Sequence, residues 1–171
     1  MSIQSKESIL ASQRSFQSYY PDHLAHCYGC GRLNKDGHHL QSYWDGDKTV
    51  AWFTPSPEHI SIPGYVYGGL IASVVDCHGT GSAAAFAYRA AGREMDDGGP
   101  PLRFLTASLQ VSFLRPTPLG VELELRGEAA HVSSRKVIVD IQVFARDEIC
   151  ATGRVVAVLV PDKYITELVV A

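Results

Sequence analysis

One stretch decides most of what this chain can become. From Gly68 to Ala91 it runs without a proline, rich in Ala, Leu, Ile and Val, and carries a single acid, Asp76. Such a segment predicts one long helix, apolar on so much of its surface that other elements must surround it. Gly92 supplies a natural C-terminal stop. The interior glycines Gly79 and Gly81 each weaken a helix by roughly 1 kcal/mol relative to Ala, which implies that another backbone passes close by.

The remaining segments have a period suited to supplying that cover. Ser5 to Tyr20 has helical spacing of Ile9, Leu10 and Phe16 and meets a stop at Pro21, and Asp22 to His39 reads as an ordered loop. Leu40–Trp44 and Thr49–Thr54 flank Asp45-Gly46, a hairpin signal. Beyond a polar loop at Arg93–Pro101 the period becomes two. Ala107, Leu109, Val111 and Phe113 alternate with polar residues, and further strands follow around Val121–Arg126, Val137–Val143 and Cys150–Val160 as a meander. The expected architecture is α+β: an N-terminal helix, then an antiparallel sheet wrapped around one central helix. The chain divides into a lead-in at 1–25, one domain at 26–161 and a tail at 162–171.

Composition narrows the class of function. With 171 residues, 46% hydrophobic and 19% charged, the chain fits one globular domain. A net charge of -3 provides no general basic surface, which argues against a nucleic-acid partner. No stretch has the length or apolarity of a signal peptide or a spanning helix, so a cytoplasmic protein with no membrane partner is expected, its four cysteines free thiols.

The candidate chemistry lies in Tyr65-Val-Tyr-Gly-Gly-Leu-Ile-Ala-Ser-Val-Val-Asp76. Glycines at a helix start leave first-turn N–H groups uncrowded at the positive end of the helix dipole, where a substrate carbonyl oxygen would be polarised. Gly68 is the candidate donor. A carboxylate inside an apolar helix is costly unless partnered or used, and Asp76 fits a nucleophile or general base as well as it fits a structurally satisfied acid. At about 1.5 Å per residue the two stand roughly 12 Å apart on one helix, so both can serve one carbonyl only if they come from different subunits of a dimer. Thr80, one turn beyond Asp76, could orient the acid or a water. His78 fits a buried packing histidine, and Cys77, on another face, fits inert packing.

Two other clusters carry residues of possible chemical use. Cys27 and Cys30 form a CxxC with His23, His26, His38 and His39 nearby, but with no second CxxC an ordered loop is preferred to a zinc site, and no metal is expected. Ser133, Ser134, Arg135 and Lys136 sit at a turn where cations and hydroxyls could hold phosphates, and Arg115 is a weaker candidate of that kind.

Together, Cys27-Tyr-Gly-Cys-Gly-Arg-Leu-Asn34 with Gly37, the stretch Gly64 to Asp76, and Thr106-Ala-Ser-Leu-Gln-Val-Ser-Phe-Leu-Arg-Pro116 resemble the hotdog-fold acyl-CoA thioesterase superfamily, of the phenylacetic-acid-pathway (PaaI-like) type. The resemblance covers roughly residues 26 to 160. It implies a homodimer, often paired into a tetramer, that hydrolyses an acyl-CoA or related thioester without a cofactor. The residue matching Asp76 would activate water or attack the thioester, that matching Gly68 would donate the oxyanion N–H, and Thr106 would hold the water. Thr80 matches a hydroxyl used in some branches. Ser61 falls near the thioester and Arg135 where CoA phosphates are held; Tyr67 and Gly69 beside Gly68, and Ser134 and Lys136 beside Arg135, are further substrate-binding candidates. Tyr67 replaces a common histidine. The rival readings are a non-catalytic acyl-CoA-binding module, a hydratase, for which Asp76 and His78 are misaligned, and a redox or zinc CxxC loop.

Overall fold

The computed structural model describes residues 4–161 and Tyr164. The expected tail at 162–171 therefore lies outside the described residues, Tyr164 apart. Helix α1 covers Lys6–Ser12 and helix α2 Gly68–Ala90; the strands are β1 Ser42–Asp45, β2 Lys48–Phe53, β3 Phe104–Phe113, β4 Leu123–Val132, β5 Lys136–Ala145 and β6 Glu148–Leu159. All six strands form one antiparallel sheet in the order β1-β2-β4-β5-β6-β3, curved around α2. This is the α+β hotdog architecture.

The apolar helix is buried as its composition demands. Leu70, Val74 and Val75 of α2 pack in one core with Leu123, Leu125, Val139, Ile141 and Val155 of the sheet. Helix and sheet approach through glycines on both sides. A methyl group on Gly153 of β6 would lie 2.3 Å from Val75 Cγ1, and one on Gly79 of α2 would lie 2.4 Å from Val155 Cγ2. Gly81 is held small by the Gln17 amide, 2.7 Å from where its Cβ would be. The close neighbours of Gly79 and Gly81 are thus side chains, not a passing backbone: a sheet presents its side chains to a helix, and Gln17 arrives from the N-terminal segment. No helix among the described residues is long and apolar enough to cross a membrane.

Two local expectations need correction. The N-terminal helix stops at Ser12, and a short 3-10 turn at Phe16–Tyr19 replaces its predicted second half. Competing hydrogen bonds account for the break. The Gln13 amide donates to the Trp44 carbonyl at 3.0 Å and accepts from the Trp44 N–H at 3.1 Å, while Gln17 accepts from the Ser42 N–H at 2.8 Å. Two glutamines therefore occupy the outer edge of β1 in place of another strand. Second, β3 does not begin a meander: it pairs with β6 at the far edge, and only β4, β5 and β6 follow one another as neighbours. Helix α2, lying across the sheet, carries the chain from one edge to the other.

Among the described residues the β3 edge has no such cover. Leu105, Leu109 and Phe113 are exposed, at 61%, 38% and 56%, although their alternation predicts a half-buried face. Among the described residues, no element pairs with the outer edge of β3.

Candidate active site

Asp76 emerges from the middle of α2 beside β3 and is half-buried. Its Oδ1 accepts a short hydrogen bond from the Thr106 hydroxyl. A bulge lies directly after Thr106, between it and Ser108. Burial raises the Asp76 carboxyl above its ordinary value, the Thr106 bond lowers it in part, and negative charge on Cys27 adds to the rise. A carboxylate so placed is a stronger base than one in water.

At the start of the same helix, the N–H groups of Gly68 and Gly69 occupy the open first turn, where no intrahelical acceptor exists. Tyr67, the N-cap residue, adds no side-chain cap. A Cβ on Gly68 would lie 3.1 Å from the Phe113 ring, and one on Gly69 would lie 2.5 Å from the Tyr67 ring. Gly68, Ser61, Tyr65 and Phe113 line a cleft of about 540 Å³. Tyr67 stacks on His59 with ring centroids 6.5 Å apart. The helix rise separates Gly68 from Asp76 by roughly 12 Å, so within one chain the cleft and the carboxylate are separate.

The other sequence candidates distribute as follows. Thr80 donates to the backbone carbonyls of Asp76 and Cys77, at 3.1 and 3.3 Å, and is thereby turned from the carboxylate. Ser134, Arg135 and Lys136 lie exposed at the β4–β5 turn, and neither cation forms an ion pair among the described residues. Lys136 pairs with Val158, which in turn pairs with Leu105. That register places the turn at the Thr106 end of the sheet. His78 is fully buried between the hydroxyls of Ser42 and Thr49, as a packing histidine.

Sequence reasoning missed two features. Thr117, in the cleft wall, has a buried hydroxyl with no hydrogen-bond partner among the described residues. Its neighbours Pro116 and Pro118 disguise it as a turn residue. Cys77 meets Cys27 and Cys30, the three Sγ atoms lying within 4.8 Å of one another. Nothing in local spacing signals that convergence.

The fold, with a carboxylate on the central helix bonded to a hydroxyl on β3, defines a class of hotdog proteins, and comparison with known proteins agrees. The thioesterase superfamily model matches residues 63–152, more than half of the chain. A thioesterase superfamily protein of Shewanella loihica PV-4 is 48% identical in a structural match covering 83% of this chain and 100% of that one, with a TM-score of 0.63. The PaaI protein of the E. coli phenylacetic acid degradation operon shares the fold at 19% identity and a TM-score of 0.53, over 71% of this chain and 78% of its own. An acyl-coenzyme A thioesterase, THEM4, of Xenopus laevis is 29% identical over 101 residues, 59% of this chain. The match spans only 39% of that relative's length. The chain belongs to the thioesterase superfamily.

Proposed function

We propose that the protein hydrolyses an acyl-CoA thioester as a homodimer with two equivalent shared sites. Asp76 takes a proton from water, and the resulting hydroxide attacks the thioester carbonyl. The partner subunit's Gly68 N–H holds the oxyanion, and collapse of the tetrahedral intermediate expels the CoA thiolate, which is reprotonated from the acid formed at Asp76. In the variant with direct attack, the Asp76 carboxylate adds to the carbonyl and expels the CoA thiolate to leave a mixed anhydride, which water then hydrolyses to free acid and restored carboxylate, the proton released reprotonating the thiolate. The Thr106 hydroxyl fixes the carboxylate and the water beside it.

The observation that carries this reading is the raised, Thr106-bonded carboxylate of Asp76 next to a sheet edge unpaired among the described residues, with an open helix N-terminus too distant to act in the same chain. The β1 edge is already occupied by Gln13 and Gln17, so the β3 edge, with Leu105, Leu109 and Phe113, is the face for a second copy. Ser61, Tyr67 and Gly69 flank the acyl end, and Ser134, Arg135 and Lys136 receive the CoA phosphates. Similarity to an acyl-coenzyme A thioesterase supports CoA as the carrier. The test is thiol release from a panel of short, medium and aryl acyl-CoAs. Turnover of one class supports the reading; acyl-CoA binding without turnover of any would replace it with a non-catalytic acyl-CoA-binding module.

A further inference from the structure

Cys27 and Cys30 stand in the loop before β1, while Cys77 comes from α2, 50 positions beyond Cys27. The Cys27 and Cys77 sulfurs are 3.8 Å apart, and all three Sγ atoms fall within 4.8 Å of one another. A tetrahedral zinc ion with Zn–S bonds of about 2.3 Å sets its sulfurs roughly 3.8 Å apart. The observed triangle therefore needs only a small contraction to become a ligand set.

The surrounding backbone is shaped for this convergence. A Cβ on Gly29 would lie 2.2 Å from Cys77 Sγ, so only glycine lets the loop seat its turn against the helix. A Cβ on Gly31 would lie 2.4 Å from the Cys27 nitrogen, and the Gly31 N–H closes the turn on the Cys27 carbonyl at 2.8 Å. Cys30 and Cys77 are buried and Cys27 is exposed, which leaves the fourth corner of a tetrahedron on the solvent side.

We propose that Cys27, Cys30 and Cys77 form a three-thiolate zinc site that fastens the N-terminal loop to the helix bearing Asp76. The ion replaces the thiol protons, which leave to solvent, and a water completes the coordination. Soft sulfur donors select zinc over magnesium or calcium. The site is distinct from the hydrolytic step proposed above, and its test does not depend on turnover.

The full-length protein is prepared reduced and metal-free, then titrated with Co2+ and Zn2+. One equivalent of Co2+ per chain is expected to give a thiolate-to-cobalt charge-transfer band, bleached by one equivalent of Zn2+. Cys27→Ser, Cys30→Ser and Cys77→Ser should each cut that band by about a third or abolish it. Cys150→Ser, remote from the cluster, should leave it intact and controls for general loss of thiols. Circular dichroism identifies any variant that fails to fold, and for such a variant the native chain is read instead by amide exchange. Zinc should slow exchange of the loop amides of Gly31, His38 and Leu40 in the native chain. The proposal is overturned by sub-stoichiometric Co2+ binding, by a band unchanged in the folded variants, or by loop exchange indifferent to zinc.

Discussion

His78 gives the sharpest stability prediction. Its ring is completely buried, with Nδ1 2.9 Å from the Ser42 hydroxyl and Nε2 3.4 Å from that of Thr49. Both partners can donate or accept, so a neutral imidazole is satisfied in either tautomer. Burial pushes its pKa down from 6.5 to about 3, with a hydrogen bond to the Thr49 backbone opposing only part of that fall. Between those values the unfolded chain binds a proton that the folded chain refuses, so stability is full above about pH 6.5 and declines as pH falls toward 3. At about pH 5 the deficit is roughly 1.5 pH units at 1.4 kcal/mol each, or about 2 kcal/mol. Urea unfolding of the wild type and of His78→Gln, at one protein concentration, at about pH 7.5 and about pH 5, isolates this contribution. Wild type should lose about 2 kcal/mol more than the variant over that interval. Equal losses would refute the reasoning, because the histidine would then be charged, or exposed, in the folded protein.

Three further outcomes follow from the packing and the site. Gly153→Ala should destabilise by about 1–3 kcal/mol in urea melts, because its methyl meets Val75 Cγ1 at 2.3 Å where neither helix nor sheet can yield cheaply. Thr117→Val should hold or raise the melting temperature, since a buried hydroxyl without a partner costs about 1–3 kcal/mol; a lower temperature would show that the hydroxyl is satisfied in solution. Thr106→Val should lower kcat by about tenfold or more with KM nearly unchanged, because the lost hydroxyl fixes the Asp76 carboxylate rather than the substrate.

The parts of the fold legible in the sequence were those with a strong local period. The Gly68–Ala90 helix follows from its composition, and Gly92, in a left-handed conformation at φ 64°, ends it as read. The alternations in Val137–Val143 and around Cys150–Val160 place β5 and β6 directly. Pairing over distance left no such trace. The migration of β3 to the far edge depends on how α2 crosses the sheet, and the early end of α1 depends on Gln13 and Gln17 finding β1, some thirty and twenty-five positions later.

The candidate site divides in the same way. Asp76 and Gly68 stand out because a lone acid and a glycine pair are conspicuous in an apolar helix. Thr106 came from the resemblance alone, and the structure adds its hydrogen bond to Asp76. Helical spacing placed Thr80 on the face of Asp76 but could not show that its hydroxyl turns back to the carbonyls. The three thiols were readable only as one short motif and one packing residue, because Cys77 joins the others through tertiary structure.

Complementation between two inactive variants tests directly whether each site is shared between subunits. Asp76→Ala removes the base, whereas Gly68→Pro removes the N–H while keeping a residue favoured at the first helical position. Each variant alone should lose about a hundredfold or more of acyl-CoA hydrolysis while remaining a folded dimer. Mixed in equal amounts and allowed to exchange subunits, they form about half heterodimers, each with one intact site of two, and should regain roughly a quarter of wild-type activity. Recovery near that value is the predicted result. Two inactive variants that stay inactive after verified exchange, or either variant active alone, would contradict the shared site.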